Sequence, residues 1–410
     1  MKLFVGIDIS SKSLDVSFET SESDGEIKRG EYDNDIVGAT KLKQDILSII
    51  KDTDIGKVVV GMESTSIYSY HPAYFFETDE DLQKLDIETV VINPKESKRY
   101  KDIFEESKTD AIDAYYIADY LRSGHYSTSI VRQEKYIALQ RLTRSRYQVV
   151  KDLGRAKQHF IQNLYYRVNK LATSDFKGDV FGASMMSLLT DEITPDEIAD
   201  LPLEELSEYL NKHGHGGFKD PDKTAKTIQL SIKRSYKLER NIKNSVDVVL
   251  ALYAGEIRSF EKVKKTIEKE IARVVKGIPE AKILESIPGV GPVYTAGILA
   301  EVGQIERFEN EAKLAKYTGL SWKQRQSGDF KGAMTPRIHS GNQYLRYYVV
   351  EAANSIVHRD PVFKAYYDKK LSEVTRTPTK RAKVLSARKL IRVIYYLLRN
   401  HQIYKAEEVV

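Results

Sequence analysis

Four carboxylates in the N-terminal third have the types and spacing to hold a hard metal ion. Asp8 interrupts the apolar run Phe4-Val5-Gly6-Ile7-Asp8-Ile9, and a charge inside such a run must be paired or bind a metal. Glu63 follows directly on the apolar stretch KVVVGM at 57–62. Asp110 and Asp113 lie in KTDAIDAYYIADY, three residues apart, so on a helix they share one face. Oxygen ligands of this kind suit Mg²⁺, and two such ions ~3.5–4 Å apart stabilise the attacking and leaving oxygens of a phosphoryl transfer. Asp110 and Asp113 alone would also fit an ordinary solvated helix. Asp8 does not fit that reading. The four together predict a site for one or two Mg²⁺ ions.

The elements that must position these residues are legible as alternating strands and helices over the first ~125 residues. Leu3–Ile9, Leu14–Phe18, residues 26–34, Lys57–Met62 and Glu88–Ile92 have strand character, and Ala39–Lys51 and the charged stretch from Pro94 to His125 have helical character. Three strands, a helix, a strand, a helix, a strand and a helix is the order of the ribonuclease H-like α/β fold. That order alone does not decide a function.

From Glu134 onward the pattern is helical. Val149, Leu153, Ala156, Phe160, Leu164, Val168 and Leu171 recur at spacings of three and four, the seam of a coiled coil or a long amphipathic helix. A second helical stretch is expected over Lys223–Lys276, interrupted near Gly255. Residues 173–222, which include HGHGGF at 213–218, are expected to be an irregular inserted subdomain. The domains predicted are therefore 1–128, a catalytic carboxylate domain; 129–280, a coiled-coil helical domain with the insertion; and 281–410, a helical C-terminal domain. The helical hairpin of the middle domain is equally compatible with internal packing and with a dimerisation arm.

The C-terminal domain opens with SIPGVGPVYTAGILAEVG at 286–303, the pattern of a helix-hairpin-helix. Gly289 and Gly291 would let backbone N–H groups approach a phosphate, with the following helix adding its positive end. Residues 369–399 carry ten basic residues, Lys380, Arg381, Lys383 and Arg388 among them, against the single acid Glu373. Interleaved with Leu390, Ile391, Val393, Tyr395 and Tyr396, this charge is expected to form a basic face on a packed helix that contacts nucleic acid.

Length and composition bound the alternatives. The chain has 410 residues, 41% hydrophobic and 30% charged, with a net charge of +5; at ~100–200 residues per domain that is two or three folded domains. Cysteine is absent, which excludes disulfide scaffolds, zinc-thiolate sites and cysteine nucleophiles. No apolar run reaches the ~20 residues needed to cross a bilayer, and no signal peptide is recognisable, so a cytoplasmic, nucleoid-associated protein without a membrane partner is expected. The small net charge is a weak pointer to a polyanion; its clustering in the C-terminal region is the stronger one.

With these residues in view, the chain resembles the DEDD transposases of the IS one-ten insertion-sequence family, relatives of the pilin-gene invertases and known as bridge-RNA-guided recombinases. The resemblance rests on GID (6–8), ESTSIY (63–68), VINP (91–94), KTDAIDA (108–114), SIPGVG (286–291) and YTGLSWKQRQSG (317–328). It departs at Ser66, where the family usually has glycine, and at Ile338, where a hydroxyl residue is common. The resemblance implies a RuvC-like N-terminal domain with Asp8, Glu63, Asp110 and Asp113 as the metal quartet, and a C-terminal transposase domain whose nucleophile is a serine. Ser327, in RQSG, matches the family's serine element, and Lys323, Arg325 and Lys331 nearby would balance the phosphate charge. Ser340, in IHSGNQYLR, is the rival; its neighbours Gly341 and Asn342 look like a helix start, with Arg346 available for a phosphate.

The seam Val149 to Leu171, paired with the 223–276 helix, is expected to build a homodimer that assembles to a tetramer when two DNA molecules are joined. The resemblance further implies target and donor double-stranded DNA as substrates, a metal quartet of one protomer that meets the serine of another, and a structured noncoding bridge RNA as guide. The sequence has no obvious element for reading base edges in a major groove, which fits specificity delegated to base pairing. The alternative is a RuvC-like nuclease or junction resolvase that uses the four carboxylates and water, without a covalent intermediate. A tyrosine recombinase is a weaker rival, because no His–Arg–Arg set to activate a tyrosine is evident. A non-catalytic nucleic-acid scaffold leaves Asp8 unexplained.

Overall fold

The computed structural model describes residues 1–23, 25–64, 67–104, 109–126, 133–173, 178–190, 194–214, 218–322, 326–327, 330–331 and 340–406. They form two compact units, Met1–Glu134 with Gly303–Asn310, and Lys135–Val302 with Glu311–Val410.

The first unit is built on a five-stranded mixed sheet. Its strands are β1 (Lys2–Ile9), β2 (Ser13–Thr20), β3 (Glu26–Asp33), β4 (Lys57–Glu63) and β5 (Ile87–Ile92), in the order β3-β2-β1-β4-β5. The three N-terminal strands pair antiparallel; β1–β4 and β4–β5 pair parallel. Helices α1 (Ile36–Asp52), α2 (Tyr70–Thr78), α3 (Pro94–Lys101) and α4 (Asp110–Arg122) complete it. This mixed α/β arrangement is consistent with the ribonuclease H-like fold expected from the sequence.

The period-two alternation of β1 divides its side chains between two cores. Leu3, Val5, Ile7 and Ile9 point to one face, packed with Leu42 and Ile46 of α1 and Phe76 of α2. Phe4 points to the other, packed with Ile117, Tyr120 and Leu121 of α4. Gly6 lies on that second face, and a Cβ there would fall 2.3 Å from the Ala114 carbonyl oxygen and the Ala118 nitrogen. The strand and the helix therefore touch backbone to backbone, which only glycine permits. Two residues further along β1, on the same face, is Asp8; one turn back along α4 from Ala114 is Asp110.

The second unit is helical. Helices α5 (Glu134–Arg167) and α10 (Arg240–Val275) form an antiparallel hairpin, held by ion pairs Arg146–Glu268, Lys157–Glu261 and Arg167–Asp247. Between them lie α6 (Ala183–Thr190), α7 (Pro195–Asp200), α8 (Leu203–His213) and α9 (Pro221–Lys233). The expected irregular insertion is thus a set of short helices. Its apolar residues Met185, Leu189, Ile198, Leu206, Leu210 and Ile228 share one core with Leu153, Phe160 and Leu164 of α5 and Leu250 and Ile257 of α10. The predicted seam is accordingly covered from Leu153 to Leu171 within the chain itself. The expected interruption at Gly255 is absent, since Gly255 lies inside α10. A glycine costs a helix only ~1 kcal/mol, less than the burial of Ala254 and Ile257 beside it returns. The break falls instead between α9 and α10, where the Lys170 N–H donates to Ser235 Oγ and the Tyr236 N–H to Asn169 Oδ1.

The rest of the second unit comprises α11 (Pro279–Glu285), α12 (Pro292–Val302), α13 (Glu311–Thr318), a two-residue ladder of β6 (Gln326–Ser327) and β7 (Phe330–Lys331), α14 (Gln343–Ile356), α15 (Pro361–Ser372) and α16 (Pro378–Asn400). Helices α12, α14 and α16 form its core through Ile298, Leu299, Val349, Ala352, Leu390 and Ile394, all fully buried. Tyr348, also fully buried, donates its hydroxyl to the Thr143 carbonyl at 2.6 Å. Among the described residues no helix is long and apolar enough to cross a membrane.

Candidate active site

All four predicted carboxylates line one cavity of about 540 Å³ in the first unit, together with Ser97, Lys98, Lys101 and Tyr116. Asp8 and Glu63 are brought together by sheet register. Gly6 pairs with Gly61 and Ile7 with Met62 on parallel β1 and β4, so Asp8 and Glu63 are the next residues of adjacent strands. Asp110 and Asp113 come from the first turn of α4, whose N-cap Thr109 accepts from the Ile112 N–H at 3.3 Å. Carboxylates there also face the positive end of the helix.

The electrostatics fit a cation site. Burial raises the Asp8 pKa to about 6, and the charges of Asp113, Asp110 and Glu63 push in the same direction. Three acids whose charges bear on Asp8 make with it an anionic cage, and oxygen-only donors match Mg²⁺. Among the described residues, however, no three acidic or histidine side chains are already gathered to hold one ion. Two of the quartet have protein partners instead: Ser97 donates its hydroxyl to Glu63, and Lys101 pairs with Asp113. Sequence reasoning passed over Ser97, Lys101 and Gly6. The signal for the first two was the spacing of four between them, one helical turn, just after VINP, where Asn93 caps α3 by accepting from the Lys95 N–H.

A second buried acid braces the same helix from the strand side. Glu19 of β2 is fully buried, and its nearest cation, Arg122 Nε at 3.0 Å, is shared with Asp119. Burial, reinforced by Asp119, raises the Glu19 pKa to about 7 from its ordinary 4.5. The folded protein therefore holds an extra proton between those values, so Glu19 costs stability progressively as pH rises from about 4.5 to about 7. Glu19→Gln should consequently stabilise the protein at pH 8, by up to about 3 kcal/mol. The gain should vanish towards pH 4.5. Urea unfolding at the two pH values checks this, and an equal effect at both would refute it.

The predicted nucleophile, Ser327, lies in the second unit, in β6, where it pairs with Phe330 of β7; Gln326 pairs with Lys331. Lys323 and Arg325 lie outside the described residues. What the structure describes in full is the base of the segment carrying Ser327. Gly319 and Gly341 both have positive φ, 73° and 113°, and a Cβ on Gly341 would fall 2.5 Å from the Gly319 nitrogen. The Asn342 N–H donates to the Tyr317 carbonyl at 2.7 Å, closing the base. The Asn342 side chain caps α14, accepting from the Tyr344 and Leu345 N–H groups, and donates to Glu301 at 2.7 Å. Glu301, fully buried on α12, is held from α5 by Arg144 at 2.7 and 3.0 Å. Arg346 donates to the Thr318 carbonyl at 3.2 Å, so part of its guanidinium belongs to this base. Ser340 is exposed beside the helix start read from the sequence.

The predicted phosphate-binding residues divide. Gly289 has φ 90°, and a Cβ there would meet Ser355 Oγ at 3.0 Å, so it serves the packing of the α11–α12 turn on α14. Gly291 has open space around it. On α16, Arg381 is paired with Glu373 at 2.9 Å and Arg388 with Glu311 at 2.6 Å, while Lys380 is exposed and Lys383 partly so.

Comparison with known proteins supplies the context for this geometry. Residues 5–166 match the IS110-type DEDD transposase family and residues 281–368 the transposase family of IS116, IS110 and IS902. An uncharacterized 44.8 kDa protein of insertion element IS116 from Streptomyces clavuligerus is 26% identical over 304 residues, 73% of each chain. An uncharacterized 43.6 kDa protein of insertion element IS110 from Streptomyces coelicolor is 29% identical over 163 residues, 40% of this chain and 39% of that one. The pilin gene-inverting protein of Moraxella bovis is 24% identical over 176 residues, 42% of this chain and 54% of that one.

Proposed function

The chain belongs to the IS110-type DEDD transposase family, and from that premise we propose that it cuts and rejoins target and donor DNA under the guidance of a structured noncoding RNA. The observation that carries the catalytic part is the meeting of Asp8, Glu63, Asp110 and Asp113 in one cavity. These four residues would hold Mg²⁺, which supplies charge neutralisation for a phosphodiester in transfer. In the proposed reaction the Ser327 oxygen bonds to the phosphorus, the bond from phosphorus to one sugar oxygen breaks, and that oxygen leaves as a hydroxyl with the serine's proton. A sugar hydroxyl of the other DNA then reverses the step and frees the serine, so the bond energy is conserved without ATP.

The remaining residues take supporting parts in this reading. The Gly319–Gly341 base fixes both ends of the segment bearing Ser327. Lys323, Arg325, Lys331 and Arg346 would balance phosphate charge, and Gly291, Lys380 and Lys383 would contact backbone phosphates, which position without reading sequence. Arg381 and Arg388 would have to exchange their acidic partners for phosphate. The division 1–128, 129–280 and 281–410 assigns catalysis, assembly and nucleophile to successive domains. Because the α5 seam is covered internally, a homodimer would pair through another face, and α10 offers Val248 and Leu252, 61% and 65% exposed and one turn apart.

RNA guidance is tested by purifying the protein from cells that carry the intact element and sequencing the nucleic acid that co-purifies. One discrete transcript from the element's flank, required for joining target to donor in vitro, is the expected result. Efficient site-specific joining by RNA-free protein would overturn it.

A further inference from the structure

The carboxylate cavity contains its own cation. Lys101 closes α3, and its ammonium pairs with Asp113, with the lysine side chain 13% and the aspartate side chain 21% exposed. One turn earlier on the same face of α3, buried Ser97 donates to Glu63. The helix thus reaches one acid of the sheet and one acid of α4 from a single face. Its direction is set by Pro94 at its first turn and by Asn93 as its cap. Lys101 therefore lines the same cavity as the four carboxylates and holds one of them, Asp113, where a divalent ion would compete with the ammonium for that acid.

We propose that Lys101 is a positioning residue that stands in for the metal: it holds Asp113 and the α3–α4 pair together in the metal-free protein and gives Asp113 up when Mg²⁺ binds. The inference rests on the Mg²⁺ reading of the quartet and adds to it an exchange between a tethered cation and a free one. Such an exchange protects the fold of an anionic cavity before metal arrives. It also lowers metal affinity in the absence of substrate, and it releases an ammonium beside the cavity when a phosphate is present to receive it.

The test is calorimetric titration of Mg²⁺ into the DNA-free full-length protein, with thermal unfolding measured with and without Mg²⁺. Lys101→Gln should bind Mg²⁺ at least fivefold more tightly than the parent, because the competing charge is gone. Its Tm should fall by several degrees in metal-free buffer and recover on adding Mg²⁺. Lys101→Arg, which keeps the charge, should leave the metal-free Tm near that of the parent and guards against a glutamine variant that simply folds badly. Equal Mg²⁺ affinity in parent and Lys101→Gln would overturn the exchange while leaving the metal site standing. No Mg²⁺ binding by either protein would overturn the metal site itself, and the exchange with it.

Discussion

Replacing Ser327 by alanine is expected to abolish both the covalent protein–DNA adduct and the joined product, a loss on the order of 10⁴-fold or more, as when a covalent nucleophile is deleted. The variant should fold normally. The backbone around position 327 is a two-residue ladder, and the helices that form the core of the second unit contribute their own buried faces. Ser340→Ala is the matched control. Ser340 lies at the base of the segment, exposed, where its carbonyl would be 2.4 Å from a Cβ on Gly319; its role is in the backbone, so its hydroxyl should be dispensable. Denaturing gel electrophoresis of protein incubated with labelled DNA reads the adduct directly. Adduct formation and joining that survive in Ser327→Ala would move the covalent step to another residue, the rival Ser340 first, whereas cleavage without any adduct in parent and variant alike would return the chemistry to water and to a RuvC-like hydrolysis.

In the proposed reaction, the base of that segment would set where the stretch bearing Ser327 leaves and rejoins the helices of the second unit. A nucleophile must be held within a fraction of an ångström of its productive position. Here Gly319 and Gly341 abut, Asn342 ties the turn to Tyr317, and Glu301 joins α12, α5 and the cap of α14 through Arg144 and Asn342. A buried carboxylate that accepts from an arginine and an asparagine is costly to break from either side. Glycine adopts the positive φ of both positions without a Cβ penalty, which lets the two backbones abut.

How far the molecule could be read from its sequence depended on whether the signal was a pattern or a partner. The strands of the first unit were legible because Leu3–Ile9 is an apolar run and Leu14–Phe18 alternates; that β1 serves two cores became visible only in the packing. Asp8 was legible because a charge in that pattern has no ordinary explanation. Lys101 was not, since in PKESKRYK it is one of four basic residues that look equally solvated; only the packing of α3 against α4 singles it out. The α5 seam shows the same limit. Its periodicity announces burial but not what does the burying, and the short helices α6 to α9 proved to be the cover. Of these, α9 was expected as helix from Lys223, while α7 was hidden by proline: Pro195 occupies its first turn, where proline starts a helix, yet in sequence it read as loop.

Changing Asp110 to asparagine should reduce DNA cleavage by roughly 10³-fold or more, the scale of losing electrostatic stabilisation at a phosphoryl-transfer site. The fold should persist. Asp110 is exposed at the start of α4, while the helix is anchored by Ala114, Ile117, Ala118 and Leu121. Removing this anion also relieves part of the repulsion on Asp8, so thermal stability should hold or rise as activity disappears; this combination separates a ligand from a structural acid. The same variant settles which protomer supplies what. If the quartet of one protomer serves the serine of another, an equimolar mixture of Asp110→Asn and Ser327→Ala should regain a measurable fraction of joining that neither shows alone. Undiminished cleavage by Asp110→Asn would remove it from the quartet, whereas an inactive mixture at every ratio would place quartet and serine in the same protomer.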